Sequence, residues 1–156
     1  MATNNDGGHG HPRSTAKIGG HPIHPMLVPF PIVCFILAFV CDVLISQGHA
    51  ELASASKWLL GIGLVMGALA AVAGLTDSLG EKRIQGSDAV QHMLANVTAV
   101  VLEVVNLVLR LNNDDFIAST GVYISLVVVL ILVYSGWKGG ALVFKHGMGV
   151  YDRSNP

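Results

Sequence analysis

The amino-acid sequence predicts an all-α membrane protein: a four-transmembrane-helix bundle with both ends of the chain on the same side. Three observations predict it. The chain is 52% hydrophobic and only 12% charged, with a mean hydropathy of +0.59, outside the range where soluble domains sit. Its apolar residues fall into four stretches, each near the roughly 20 residues that a bilayer core of about 30 Å requires. Its basic residues gather at the same ends of those stretches. The spans are placed at about 29–46, 58–75, 90–109 and 117–137. They lie in one domain, 20–150, between a polar tail, 1–19, and a short C-terminal tail, 151–156.

In chain order, Met1 to Ala16 is rich in Asn, Gly and His, lacks an apolar run, and reads as a disordered tail. Arg13 and Lys17 ahead of an apolar stretch imitate a signal peptide. That stretch is long for a signal core and no small-x-small cleavage site follows closely, so an uncleaved span is expected. The segment Gly20-His21-Pro22-Ile23-His24-Pro25 is expected to be stiff and non-helical, because each proline biases the preceding histidine toward extended backbone. His24 is then either in an ordered segment at membrane depth, facing protein or a wet cavity, or at a solvent-facing entry. Pro29 and Pro31 suit a helix start, so regular helix is expected from there. Cys34 and Cys41, seven residues apart, lie about 10 Å from each other along a helix axis, too far for a disulfide.

The second span carries Gly63, Gly67, Ala70 and Gly74 on one face, a stripe that admits another helix or a flat ligand. Asp77, just beyond, either accepts a hydrogen bond from a histidine ring or helps end the helix. In the third span His92, Asn96, Ala99, Glu103, Asn106 and Arg110 recur in steps of four, three, four, three and four, on a single face that must look into the bundle. Glu103 lies about 16 Å along the axis from His92. Its charge is costly at that depth, so it is protonated, paired with Arg110 or with Asp42 through water, or on a proton route. The fourth span offers Tyr123, Ser125, Tyr134 and Ser135, and Trp137 and Trp58 suit interfacial anchors at opposite ends. After it, either the helix continues past Gly139 and Gly140 or a short segment folds under the bundle, with His146 beneath the other histidines and Gly147 and Gly149 able to turn the ring back.

Four crossings put Arg13, Lys17, Lys82, Arg83, Lys138, Lys145 and Arg153 on the side where the first span begins, against Lys57 and Arg110 on the other. The first side is therefore expected to be cytoplasmic, with both termini there. The same crossings bring His21, His24, Asp77, His92 and His146 to that side. Ionisable groups at membrane depth point to function unless chance interfacial placement explains them. A net charge of −1 gives no sign of a nucleic-acid partner.

The pieces Gly-His-Pro-Ile-His-Pro-Met-Leu-Val-Pro-Phe-Pro, His92 with Asn96, and Lys-His-Gly-Met-Gly-Val near the end carry a resemblance. With them the chain resembles a family of bacterial predicted membrane proteins, domain of unknown function 2231, over nearly everything after Gly19. The resemblance implies a four-span domain of the inner (cytoplasmic) membrane. Some members join a similar domain to a Rieske iron–sulfur module, which implies electron transfer by association. This chain has no Rieske ligand set.

Three function classes follow as expectations. The first is a small redox protein binding haem b through His24 and His92 as iron ligands, with His21 or His146 as alternates and Asp77 and Asn96 supporting them. The second is a transition-metal site made by His21, His24, His92 and His146, for binding or transport. The third is a structural accessory subunit in which the histidines stitch the bundle. In each case Glu103, Asn106, Asp42 and Arg110 form a buried polar set. Expected partners are the lipid bilayer and a membrane redox partner or a second copy of the chain. No Cys-x-x-Cys-His exists for covalent haem, and no nucleophile and base pair or phosphate loop points to a stand-alone enzyme.

Overall fold

The computed structural model describes residues 16–19, 21–80 and 86–148. Two short strands, β1 (Lys17–Ile18) and β2 (His21–Pro22), pair antiparallel and lead into five helices. These are α1 (Ile23–Leu27), α2 (Pro29–Ser46), α3 (Ala53–Gly80), α4 (Ser87–Asn112) and α5 (Val122–Phe144). A single 3₁₀ turn, Ala50–Leu52, precedes α3, and a π-helical turn, Ile117–Gly121, precedes α5. Taken with these lead-ins, the helices make four candidate membrane spans, Ile23–Ser46, Ala50–Leu79, Ser87–Asn112 and Ile117–Phe144.

The expected start at Pro29 and end at Ser46 of the first regular helix match α2. The segment before it departs from expectation: only its beginning is extended, and His24 and Pro25 are helical within α1. Pro25 is tolerated there because the amides of a helix's first turn have no intrahelical acceptor in any case. The α1–α2 joint stays close to continuous, with Val28 N–H donating to the His24 carbonyl at 3.1 Å. The other helices run past the apolar stretches that announced them. At 28 residues α3 is about 42 Å long, more than a hydrocarbon core needs, and α5 continues through Gly139 and Gly140 to Phe144. Of the expected tail, residues 1–15 lie outside the described residues, and its last part forms β1.

Gly48, at φ +107°, turns the chain out of α2, and Gly147, at φ +65°, turns it out of α5; side chains rarely adopt such values. Between α4 and the π turn, Asn113 Oδ1 accepts from Asp115 N–H at 3.0 Å, an Asx turn that reverses the chain.

Helix α2 packs on α3 and α5, and α4 packs on α5 and α3. Phe35, Ala38, Leu60, Ala99 and Val128 form the apolar centre. The glycine stripe of α3 serves helix packing. A Cβ on Gly63 would lie 2.6 Å from the Phe35 ring, and one on Gly67 would meet Pro31 of α2 and Val100 of α4 at 3.7 Å. Such close approach matters where lipid, as apolar as the helices, gives them no hydrophobic reason to associate. Val65, Leu69, Val72, Leu130 and Val133 face outward on α3 and α5, a surface suited to acyl chains rather than water. Trp58 and Trp137 also project outward.

Candidate functional site

Buried polar side chains collect at the two ends of the bundle. The first collection, the histidine end, is where α1 begins, α3 ends, α4 begins and α5 ends. Ala16 N–H donates to Asp77 Oδ1 at 2.8 Å, and Ile23 N–H donates to the Ala16 carbonyl at 3.0 Å, so the β1–β2 turn is tied to the end of α3. That tether aims α1 across α3. His24 Nδ1–H donates to the Ala70 carbonyl at 2.7 Å. On the other side of the site, His92 Nδ1–H donates to the Ser135 carbonyl at 2.9 Å, with Ser135 Oγ 3.0 Å away. A carbonyl can only accept, so Nδ1 carries the hydrogen in both rings and Nε2 keeps the lone pair.

The two rings are set in the same way. A Cβ on Gly74 would come within 2.9 Å of His24 Nδ1, and one on Gly139 within 3.0 Å of His92 Cε1. Each imidazole therefore rests on a glycine of the neighbouring helix and bonds a carbonyl four residues earlier on that helix: Ala70 and Gly74 of α3, Ser135 and Gly139 of α5. The α1–α2–α3 unit and the α4–α5 unit present a histidine from their first arm against the second arm by one device. The ring centroids stand 6.4 Å apart with the planes at 88°. Asn96 Nδ2 donates to the His92 carbonyl at 2.9 Å and lies 3.2 Å from His92 Nε2.

The other residues expected at this end take different places. His21 is exposed, its Nδ1 3.0 Å from the Gly19 carbonyl. His146 Nε2 lies 3.4 Å from Asp88 Oδ2, and Lys138 Nζ donates to Asp88 Oδ1 at 2.9 Å. Among the described residues no three His, Cys, Asp or Glu side chains converge into a group able to hold a metal ion. The four-histidine site of His21, His24, His92 and His146 is therefore not assembled. The turn at Gly147 sends His146 to the outside of α4, and the β1–β2 turn holds His21 outward. The His24 and His92 rings both take backbone carbonyls through Nδ1, and Asp77 secures the turn that delivers His24. The sequence held a signal for those acceptors, a small residue four before glycine near the end of the second arm of each unit.

The second collection, the arginine end, lies where α2 ends and α3 begins. Arg110 of α4 is fully buried. Its Nη1 and Nη2 donate to the two oxygens of Asp42 of α2 at 3.0 and 2.9 Å, a forked pair. Nη1 also donates to Ser56 Oγ at 2.6 Å and Nη2 to Asn106 Oδ1 at 2.7 Å. Ser56 and Ser125 hydroxyls donate to Asp42 at 2.5 and 2.7 Å. Asn106 Nδ2 donates to Ser125 Oγ at 3.0 Å and to Glu103 Oε2 at 2.9 Å. Gly121 makes room for the guanidinium, since a Cβ there would lie 3.3 Å from Arg110 Nη2. Asp42, Glu103, Asn106 and Arg110 are thus buried as expected, Arg110 choosing Asp42 over Glu103. Ser56 was missed, because a serine near a helix start has no distinguishing spacing. Nearby, Lys57 pairs with Asp114 on the exposed rim.

Chemically, the arginine end is a buried ion-pair network. The histidine end offers two imidazole lone pairs of fixed tautomer on separate elements. Two protein ligands are too few to bind a bare transition metal firmly, but they complete the coordination of a metal whose other ligands come from its own macrocycle. No curated protein and no solved structure matches the chain. The family model described as predicted membrane protein (DUF2231) matches residues 20–152, from the His-Pro segment through all four spans, and the chain belongs to that family.

Proposed function

We propose that this membrane protein binds a b-type haem, which His24 and His92 would hold as iron ligands, and carries electrons in the bacterial inner membrane. One observation carries the reading: two imidazoles on separate units, each with Nδ1 locked to a backbone carbonyl, have centroids 6.4 Å apart. With metal–nitrogen bonds of about 2 Å, that separation is within reach of two imidazoles that would share one metal. When bound, the haem would supply reversible one-electron chemistry at its iron. The chain's own part is to hold the ligands. The Ala70 and Ser135 carbonyls fix the tautomers and orient each ring. Gly74 and Gly139 let the rings seat against α3 and α5, and Asn96 gives up its contact with His92 Nε2 on ligation. Lys17, Lys138 and Lys145 at the histidine end against Lys57 at the rim of the other favour a cytoplasmic histidine end, and electron exchange with a membrane partner there.

The contact of Asn96 with His92 Nε2 favours a second reading, in which His92 is hydrogen-bonded through both nitrogens and the two rings only stitch the helices together. An ultraviolet-visible spectrum of detergent-purified protein, oxidised and reduced, separates the two. The haem reading expects a Soret band that shifts on reduction and is lost in His24→Ala and His92→Ala. Protein that is colourless from haem-replete cells and takes up no added hemin overturns it.

A further inference from the structure

Three ionisable side chains meet in the arginine-end network: Asp42, Glu103 and Arg110. Each Asp42 oxygen receives two donors, Oδ1 from Arg110 Nη1 and Ser56 Oγ, Oδ2 from Arg110 Nη2 and Ser125 Oγ. A carboxyl that accepts four hydrogen bonds while facing a guanidinium squarely is a carboxylate. The positive charge of Arg110 is therefore matched. Glu103 is left over. It is fully buried, its Oε2 accepts one bond from Asn106 Nδ2, and its Oε1 has no partner among the described residues. The charged groups that face it are Asp42 from α2 and Arg110 from its own helix; α3 contributes Ser56 to the network and α5 Ser125, neither of which titrates. A second carboxylate here would be an uncompensated charge in the bilayer interior.

We propose that Glu103 carries a proton in the folded protein and is an exchangeable proton site within the membrane, joined to the Asp42–Arg110 pair through Asn106. With Oε1 as the hydroxyl oxygen and Oε2 as the acceptor of the Asn106 amide, the network as a whole is neutral. Exchange with water replaces Oε1–H by Oε1–D and leaves every charge unchanged. This inference is independent of the haem reading, because its readout is the carboxyl group itself.

The test is the infrared carbonyl band of a neutral carboxylic acid, recorded on purified protein at neutral pH in H2O and in D2O. The sequence has three glutamates, Glu51, Glu81 and Glu103. The proposal expects the band in wild-type protein, moved by deuterium and by carboxyl-¹³C glutamate labelling, and absent from Glu103→Gln. It expects the band to remain in the double variant Glu51→Gln, Glu81→Gln, where Glu103 is the last glutamate; that variant keeps the test decisive if Glu103→Gln does not fold. Absence of the band, or a band indifferent to glutamate labelling, overturns the proposal. So does a band that survives Glu103→Gln or disappears from the double variant. A band that does not move in D2O overturns the exchange.

Discussion

The two ends of the bundle solve the problem of polar groups at membrane depth in opposite ways. At the arginine end, side chains bond to side chains, and the six residues of the network are fully buried. At the histidine end, side chains bond to backbone: His24 to Ala70 and His92 to Ser135, with both rings only half-buried. A side-chain network that bridges four helices fixes helix register, because its bonds between helices fail if one helix slides. A ring held by a carbonyl through Nδ1 keeps the lone pair on its other nitrogen. The difference suits one end to stability and, on the proposed function, the other to ligand binding.

The largest effect is expected where that difference is broken at the arginine end. Arg110→Met leaves Asp42 buried with no counter-charge and should cost about 3–5 kcal/mol, measured as denaturant unfolding in micelles. If the end is structural, the double variant Asp42→Leu, Arg110→Met should recover most of that loss, since it removes both charges together. A double variant as unstable as the sum of its single variants would mean the charges serve something besides each other.

Next come the hydroxyls and the glycines. Ser125→Ala strips a donor from Asp42 and an acceptor from Asn106, and should cost about 1–3 kcal/mol in the same unfolding measurement, with no change in any bound chromophore. Gly139→Ala and Gly74→Ala place a methyl about 3 Å from an imidazole atom. Each should destabilise by about 1–3 kcal/mol and weaken or shift the Soret band. Loss of the chromophore in Ser125→Ala, or an unchanged spectrum in both glycine variants, would erase the division of labour between the ends.

Much of this was legible before any coordinates. The α4 face from His92 to Arg110 could be read off its spacing, because a polar residue every third or fourth position in an apolar helix has only one direction to face. Counting crossings placed His24 and His92 at the same end, together with His21, Asp77 and His146. The choice Arg110 made between Glu103 and Asp42 was not legible. Both lie within reach, and the outcome depends on Ser56, Ser125 and Gly121 arriving from other helices to saturate one carboxylate. The carbonyl partners of the histidines were hidden for a different reason: every residue has a carbonyl, so an acceptor leaves no mark in the sequence except the glycine that lets the ring approach. The backbone before α2 was misread because proline's effect on its neighbour was weighed without the tether from Ala16 and Asp77, which starts the helix early.

The smallest prediction isolates that glycine effect. In α5, Gly136, Gly139 and Gly140 lie within one and a half turns, yet only at Gly139 would a Cβ meet another side chain; at Gly136 and Gly140 nothing lies within 4 Å. Alanine is the better helix former by about 1 kcal/mol. Gly136→Ala and Gly140→Ala should therefore leave stability unchanged or raise it by up to about 1 kcal/mol, with the spectrum intact, while Gly139→Ala moves both the other way. The sign separates packing from propensity: if all three variants shift stability in the same direction, α5 is responding as a helix and the seat for His92 is not what Gly139 provides.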